Sequence, residues 1–503
     1  MLIQRRYRHL NRYRMVANTL AKHGFGYVIN ILGLSEVLSF RPNNEATNQT
    51  LSTAERLVKV LEDLGPTFVK FGQILSTRMD LLPIEYIREL EQLQDNVPPL
   101  EKKEVRKVIE SELGKKIEEI FPDFGWVPLA SASIGQVHKT KLINGHEVVV
   151  KVQRPNIKEL MEIDLEIIFD LATFLDKKTS WAKQYGILDI VEELSTSLRG
   201  EIDYLLEGRN GDRFRENFVK ADNIIFPKVV WEYSTSKILV LDYVSSIKIS
   251  NKNELHAKGI DLNETAANFI NAMVTQIFIH GFFHADPHPG NVGVKENSIV
   301  FMDYGQVGKI DEWSKAKYIQ LIMQMMQQDV SGIVNILLDF GVVGEQIDRK
   351  RLEQDISKLK QKYYRLSFKE IKVGKALKEM VAIIQKYNIR IPADFALMIK
   401  ALLTAEGIVQ QLNPSINIME IAEPLGKKLF KENFNIYTLK DKILTTSIEN
   451  VQLLTKLPKL LTELLQQIEY GQLKVKVEHH NLSKLILLFN IASNRLALSI
   501  VLA

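Results

Sequence analysis

Three kinds of hydrophobic spacing follow one another along this 503-residue chain. Between Leu51 and Pro83, the residues Leu57, Val60, Leu61 and Leu64 recur at helical intervals. Gly65-Pro66 interrupts them, and Phe68, Phe71, Ile74 and Leu75 take up the same period, so two helices flank a break. Lys70 and Gln73 share one face of the second helix, as an ordinary polar face would. Pro98-Pro99 marks a linker. Over 127–152 the spacing becomes that of strands. The small residues Ala130, Ser131, Ala132 and Ser133 lead through Ile134, Gly135, Gln136 and Val137 into a strand. A turn at Gly145 follows, then Val148-Val149-Val150-Lys151-Val152. Residues 186–218 read as one long helix on Ile187, Ile190, Val191, Leu194, Leu198, Ile202 and Leu205. It carries three acids: Asp203 and Glu207 on one face, Glu201 nearly opposite Asp203. Lys237–Val244 and Ile299–Met302 predict buried strands, and residues 314–470 predict helices with stripes such as Phe395, Met398, Ile399 and Leu402. Such stripes are core far more often than functional surface.

Composition narrows the class without naming it. Apolar content of 46% supports a sizeable core, and the length predicts roughly two to four domains. A net charge of +4 does not argue for nucleic acid. The absence of cysteine excludes disulfides, thiolate metal sites and Cys nucleophiles, and fits a reducing compartment. No signal-peptide pattern opens the chain, and no uninterrupted apolar run of about 18 residues is present. The first 35 residues hold Arg5, Arg6, Arg8, Arg12, Arg14 and Lys22 and no acid before Glu36. They predict either an amphipathic helix on an anionic membrane, or a solvated arm or a helix packed on the body. The chain stops inside an apolar run, Leu485–Ala503, which reads as a short docking helix or, the favoured expectation, as the first part of a membrane segment.

The stretch Phe282–Gly305, FFHADPHPGNVGVKENSIVFMDYG, concentrates the chemistry. Asp286 precedes Asn291 by five residues, and Asp303 opens Asp303-Tyr304-Gly305. A protein-kinase catalytic loop has the same order: a base Asp, an Asn, then an Asp that holds metal. Phosphoryl transfer needs Mg²⁺, which prefers oxygen ligands, and a carboxylate and a carboxamide on adjacent loops can supply them. His284, Asp286 and His288 also fit a turn cluster or a small metal site. Upstream, Lys151 on a buried strand stands where a kinase lysine holds the α- and β-phosphates, and one acid of the 186–218 helix would pair with it. In the same order of parts, Leu241, Asp242, Tyr243 and Val244 would form the hinge between the lobes. No Ala-Pro-Glu follows Gly305, and no Ser, Thr or Tyr lies between it and Ser314. Ala285 replaces the Arg that would receive an activation-segment phosphate.

Together these residues resemble the UbiB-like family of atypical protein kinases, which includes mitochondrial and plastid kinases tied to quinone and isoprenoid-lipid metabolism. The resemblance runs from about Leu51 to about Pro424. Its most specific piece is Leu64–Pro83, similar to the family's K-x-G-Q signature in Lys70, Gly72 and Gln73. The Ala-rich loop Ala130–Gln136, the E-x-D of Glu201 and Asp203, and HADPHPGN complete it. Ser131, Met79 and Tyr304 are small departures. The resemblance implies an α+β, protein-kinase-like bilobal fold with an N-terminal helical extension and a helical C-terminal region. The expected boundaries are an arm over 1–44, the extension over 45–124, an N-lobe over 125–245, the helical C-lobe and following helices over 246–482, and an apolar tail over 483–503.

It also implies roles. Lys70 would enter the cleft, with Gln73 beside it, and meet Asp203 or Glu201, blocking peptides. Lys151 would pair with Glu207. Asp286 would be the catalytic Asp, while Asn291 and Asp303 would hold Mg²⁺. Residues 130–137 and 241–244 would bind ATP or ADP. The expected activity is ATP hydrolysis or phosphorylation of a small or lipid-like acceptor at the cytoplasmic face of the cell membrane. The expected partners are nucleotide, an anionic or quinone-precursor-containing membrane, and quinone-biosynthesis enzymes. A small-molecule kinase and a nucleotide-binding pseudokinase scaffold are the alternatives. The intact set Lys151, Glu207, Asp286, Asn291 and Asp303 argues against the scaffold.

Overall fold

The Gly65-Pro66 break forms where the pattern places it. In the computed structural model, which describes residues 9–32, 34, 51–93, 97–340, 347–363, 373–416 and 421, the helical extension comprises α1 (Leu10–Lys22), α2 (Gly26–Ile31), α3 (Thr53–Leu64), α4 (Pro66–Leu75) and α5 (Ile84–Leu90). Ser52 and Glu55 form a reciprocal capping box that starts α3. Gly65 adopts φ 96°, open to glycine, and Pro66 sits at the first position of α4, where its missing N–H costs nothing.

The basic arm divides. Helix α1 buries Tyr13, Val16 and Ala17, and it packs against α3. Arg12 is committed inward: Nε lies 2.6 Å from Asp164 Oδ1, and Nη2 donates to Leu64 O at 2.7 Å. The Asp164 side chain is fully buried, so Arg12 leaves the set of membrane-facing arginines. Lys22 pairs with Asp63 at 2.8 Å. Arg5, Arg6, Arg8 and the apolar tail Leu485–Ala503 lie outside the described residues.

Helices α6 (Lys102–Leu113) and α7 (Ile117–Ile120) lead into strands β1 (Ala130–Ser131), β2 (Gly135–Lys141) and β3 (Glu147–Gln153). With β5 (Ile238–Asp242) these make an antiparallel sheet in the order β1-β2-β3-β5. The pleat sorts β3 by parity. Val148, Val150 and Val152 face the core shared with Val105, Ile109, Ile117 and Phe121, and the other face presents Lys151, paired in register with Leu239.

After α8 (Ile157–Lys178) and α9 (Ser180–Tyr185), the expected single helix of 186–218 is two: α10 (Ile187–Glu201) and α11 (Tyr204–Asn217). Asp203 causes the break. Its backbone is extended, and its carboxylate accepts from Leu205 N at 3.0 Å and Leu206 N at 3.3 Å, capping α11. Aspartate is favoured at such a cap and not in a helix interior. Ile190, Val191, Leu194, Leu198 and Ile202 remain buried, so the apolar spacing passes through the break without registering it.

In the C-lobe, β4 (Ile224–Ile225), β6 (Ile247–Lys248), β8 (Val292–Lys295) and β9 (Ser298–Phe301) pair in the order β4-β9-β8-β6. Helices α12 (Lys252–Ala257) and α13 (Leu262–Val274) precede a π-turn at Thr275–Ile279 and strand β7 (Phe282–His284), which pairs with β10 (Val307–Lys309). Helices α14 (Glu312–Gln327), α15 (Val330–Asp339), α16 (Arg349–Tyr363), α17 (Val373–Lys386) and α18 (Ala393–Leu412) complete it. By length and composition α18 alone among the described helices could cross a membrane. It instead buries Phe395, Ala396, Met398, Ile399 and Ala405 in the core and packs on α13 and β10.

Candidate active site

Lys151 reaches off β3 to a helix that its own sheet cannot supply. Its Nζ donates to Glu207 Oε1 at 2.9 Å and Oε2 at 2.7 Å, and lies 3.7 Å from Asp303 Oδ2. Burial disfavours the ammonium, but the charges of Asp303 and Glu207 outweigh it and hold the Lys151 pKa above its usual range. Burial pushes the Glu207 carboxyl up, and Lys151 with the Tyr304 backbone N–H pulls it back. Helix α11 is bolted to the Asp-Tyr-Gly segment a second time, where Asn210 Nδ2 donates to Tyr304 O at 3.1 Å. Tyr304 is fully buried, and its Oη donates to Phe301 O at 3.0 Å. It fills an aromatic cluster with Phe214 and Phe226, so Tyr in place of Phe keeps the packing and gains a hydrogen bond.

The β8–β9 hairpin brings the two metal-ligand candidates together. Val292 pairs with Phe301, and just beyond, Met302 N donates to Asn291 O at 3.0 Å. Asn291 and Asp303 therefore flank the mouth of one hairpin. Asn291 Nδ2 donates to Asp286 O at 3.3 Å, which leaves its oxygen as the ligand end. Asp303 Oδ1 accepts from Gly305 N at 2.8 Å, and Oδ2 faces Lys151. Burial raises the Asp303 pKa, but Lys151 and the Gly305 N–H prevail and hold it at about 2. An ionised carboxylate beside a carboxamide oxygen fits Mg²⁺, a hard cation taking few protein ligands. No group of three or more His, Asp or Glu suited to a metal occurs among the described residues. The histidines belong to the loop instead: His284 Nδ1 accepts from Asp286 N at 3.2 Å, and His288 Nδ1 from Gly290 N at 3.1 Å.

The extension supplies a second lysine. Lys70 Nζ lies 3.3 Å from Glu201 Oε2, with both side chains nearly buried. Its positive charge also acts on Asp303 and Tyr204, which puts the amine on the cleft side of α4. Glu201 Oε1 accepts from Gln306 Nε2 at 2.5 Å. Two expected gate residues stand elsewhere. Asp203 lies 3.9 Å from Arg209, and its carboxylate is claimed by the N-terminus of α11, which it caps. Gln73 donates to Leu93 O at 3.0 Å and so braces the extension internally. Gly72 is needed for packing: a Cβ there would come within 2.5 Å of Leu93 Cδ1 and 2.7 Å of Leu61 Cδ1.

The Ala-rich loop is a closed turn. Ala132 N donates to Gly135 O at 2.8 Å, and Arg154 Nε donates to Ala132 O at 2.9 Å. Arg154 Nη2 also reaches Ser131 Oγ and Pro98 O. Ile134 is buried beside Ile74 of α4, so the loop and the extension share one apolar cluster. Ser133 is buried, and Val137 pairs with Lys151. Gln136 points away from the cleft, accepting from Leu100 N at 2.8 Å. In the hinge, Asp242 lies 2.9 Å from His146, and Lys139 covers the Tyr243 ring at 3.6 Å. Those two side chains are occupied, and the amides of Asp242 and Tyr243 already donate to Lys228 O at 2.9 Å and Glu147 O at 3.0 Å. The pattern gave no notice of Gln306, Arg154 or Lys400, whose Nζ lies 3.7 Å from Asp286 Oδ1. For Lys400 the available signal was a single cation inside the apolar run Phe395–Leu403.

Known proteins match this chain over most of its length. The model of the ABC1 atypical kinase-like domain matches residues 92–337, and that of the UbiB helical domain matches residues 356–417. A probable protein kinase UbiB of Cellvibrio japonicus is 31% identical over 453 residues, covering 89% of this chain and 82% of that one. An uncharacterised protein of Synechocystis is 36% identical over 431 residues, covering 85% and 74%. A Mycobacterium tuberculosis protein solved as its erythromycin complex superposes with a TM-score of 0.50 at 23% identity, over 70% of this chain and 90% of that one, a likeness of fold.

Proposed function

The chain belongs to the UbiB family of atypical kinase-like proteins, and on that premise we propose that it is a Mg²⁺-dependent ATPase or kinase. It acts at the cytoplasmic face of a membrane in support of ubiquinone or related polyprenyl-quinone or isoprenoid-lipid synthesis. The observation that carries the catalytic part is the convergence of Lys151, Glu207 and Asp303 at 2.7–3.7 Å, with Asn291 and Asp286 on the adjoining loop. In this reading Glu207 aims Lys151 at the α- and β-phosphates. Asn291 and Asp303 hold Mg²⁺, which supplies charge neutralisation when bound. Asp286 orients the attacking oxygen and takes its proton.

A peptide-blocking role for the extension is supported by Lys70 of the extension meeting Glu201, which Gln306, just past the Asp-Tyr-Gly segment, also binds. A small or lipid-like acceptor, or water, needs less room. The link to quinone synthesis rests on the family resemblance. Phosphate release should be measured with and without liposomes and phenol-like compounds. The wild type should release phosphate from Mg-ATP and respond to the additions. Asp303→Asn should keep its melting temperature while losing metal-dependent nucleotide binding. Wild-type Mg-ADP affinity in that variant would remove Asp303 from the metal site.

A further inference from the structure

The catalytic loop lacks a cation of its own. From His284 to Asn291 it reads His-Ala-Asp-Pro-His-Pro-Gly-Asn, without Lys or Arg. His288 cannot serve, because its ring closes the loop's own turn onto Gly290. Yet phosphoryl transfer places charge on the oxygens of the moving group, and the acceptor side needs positive charge as much as the nucleotide side does. Lys151 serves the nucleotide side.

Helix α18 brings a cation to the acceptor side. It contributes Phe395, Met398 and Ile399 to the core and has one basic residue, Lys400. That side chain is 14% exposed, and its ammonium stands 3.7 Å from Asp286 Oδ1. It also acts on His284, the other conspicuous side chain of the loop. A lysine at such depth is costly unless it is paired. The spacing is informative. At 3.7 Å the two groups attract as ions but are too far apart for a hydrogen bond. A hydroxyl or water oxygen, donating to Asp286 and accepting from Lys400, can sit about 2.8 Å from both at once, and a phosphoryl group approaching that oxygen meets the same ammonium. The Asp286 carboxylate is one-third exposed.

We propose that Lys400 is a catalytic residue contributed by the helical C-terminal region, binding the terminal phosphoryl group as it moves toward the oxygen held by Asp286. The helical region is then part of the active site, and a contact to the third phosphate makes the site distinguish ATP from ADP. The inference rests on the phosphoryl-transfer reading above.

The test compares Mg-ADP with a non-hydrolysable Mg-ATP analogue, by calorimetry, in the wild type and Lys400→Met, alongside phosphate release. Lys400→Met should bind Mg-ADP as the wild type does. It should lose its preference for the analogue by roughly tenfold, the worth of one charge-assisted contact. Its kcat should fall roughly 100-fold with little change in KM, and Lys400→Arg should recover part of both. A lysine that only neutralised Asp286 would alter both nucleotides alike, so a wild-type analogue-to-ADP ratio in Lys400→Met overturns the proposal. Should that variant lose its fold, seen as a collapsed melting transition, Lys400→Gln carries the same comparison. Wild-type hydrolysis with an indifferent Lys400→Met sinks this proposal alone. A wild type that binds no Mg-nucleotide sinks the functional reading together with it.

Discussion

Glu201, and not Asp203, answers Lys70, and a mutant cycle can read the difference. The Lys70 and Glu201 side chains are 12% and 6% exposed, so removing either leaves a nearly buried charge, at a cost of about 3–5 kcal/mol. Lys70→Ala and Glu201→Ala should each lower stability in urea by that order, and the double variant should be no worse than either single one. Strictly additive losses would mean that the two groups do not work as a pair. Asp203→Ala should cost only about 1 kcal/mol, the worth of an N-cap. A second residue-scale expectation concerns His138. Its Nδ1 donates to Gly125 O and its Nε2 accepts from the Gln136 amide, each at 2.7 Å, which requires a neutral ring. Burial depresses its pKa below the ordinary 6.5. The folded value is the lower one, so the stabilisation is complete above pH 6.5 and is lost as pH falls through the range below it. An NMR titration of His138 should show a midpoint under 6.5, and one at or above it would contradict the neutral-ring assignment.

At the scale of elements, the extension is fastened through one segment to both α10 and the C-lobe. Arg78 is 2% exposed and grips Asp80 through Nε and Nη2 at 2.9 and 2.8 Å, while Nη1 reaches both Glu193 oxygens on α10 at 2.7 Å. Gln385 of α17 donates to Leu82 O at 2.8 Å, tying the same segment to the C-lobe. Arg78→Met should destabilise the protein by about 3–5 kcal/mol, because the Asp80 carboxylate is left buried and unpaired. Hydrogen exchange should quicken first in α4 and α10; unaltered protection there would show that the clamp does not hold the extension. Much of this was legible: the two helices, their break and Lys70 followed from spacing and from Gly65-Pro66. The break at Asp203 was not, since Ile202 and Leu205 continue the apolar period across it. What decides between a helix interior and a cap there is whether Leu205 N and Leu206 N need an acceptor.

For the whole molecule, membrane attachment is the open expectation, and the placement of α1 changes how it should be tested. Arg12 serves Asp164 and Leu64, so mutating it would disturb packing and membrane binding together. Arg5, Arg6 and Arg8 are the residues to replace by Ala. Co-sedimentation with anionic vesicles should then fall, and wild-type binding should weaken as salt rises, because exposed charges are screened over about 8–10 Å. Equal binding to neutral and anionic vesicles would leave those arginines without a membrane role.

The linear chain determined the parts: the strand that carries Lys151, the candidate oxygen ligands Asn291 and Asp303, and the helical extension that carries Lys70. Those parts are legible because each is written in local spacing or in a short motif whose chemistry requires those residue types. The Lys151–Glu207 pair, 56 positions apart, is the one the family resemblance implied. Tertiary structure alone decided the others: Glu201 is chosen over Asp203 by a two-residue break, and Lys400 comes to Asp286 from a helix whose sequence reads as core. Pairing of distant charges depends on where backbones cross and on which carboxylate a helix terminus has already claimed, and neither is encoded in the spacing of residues along one element.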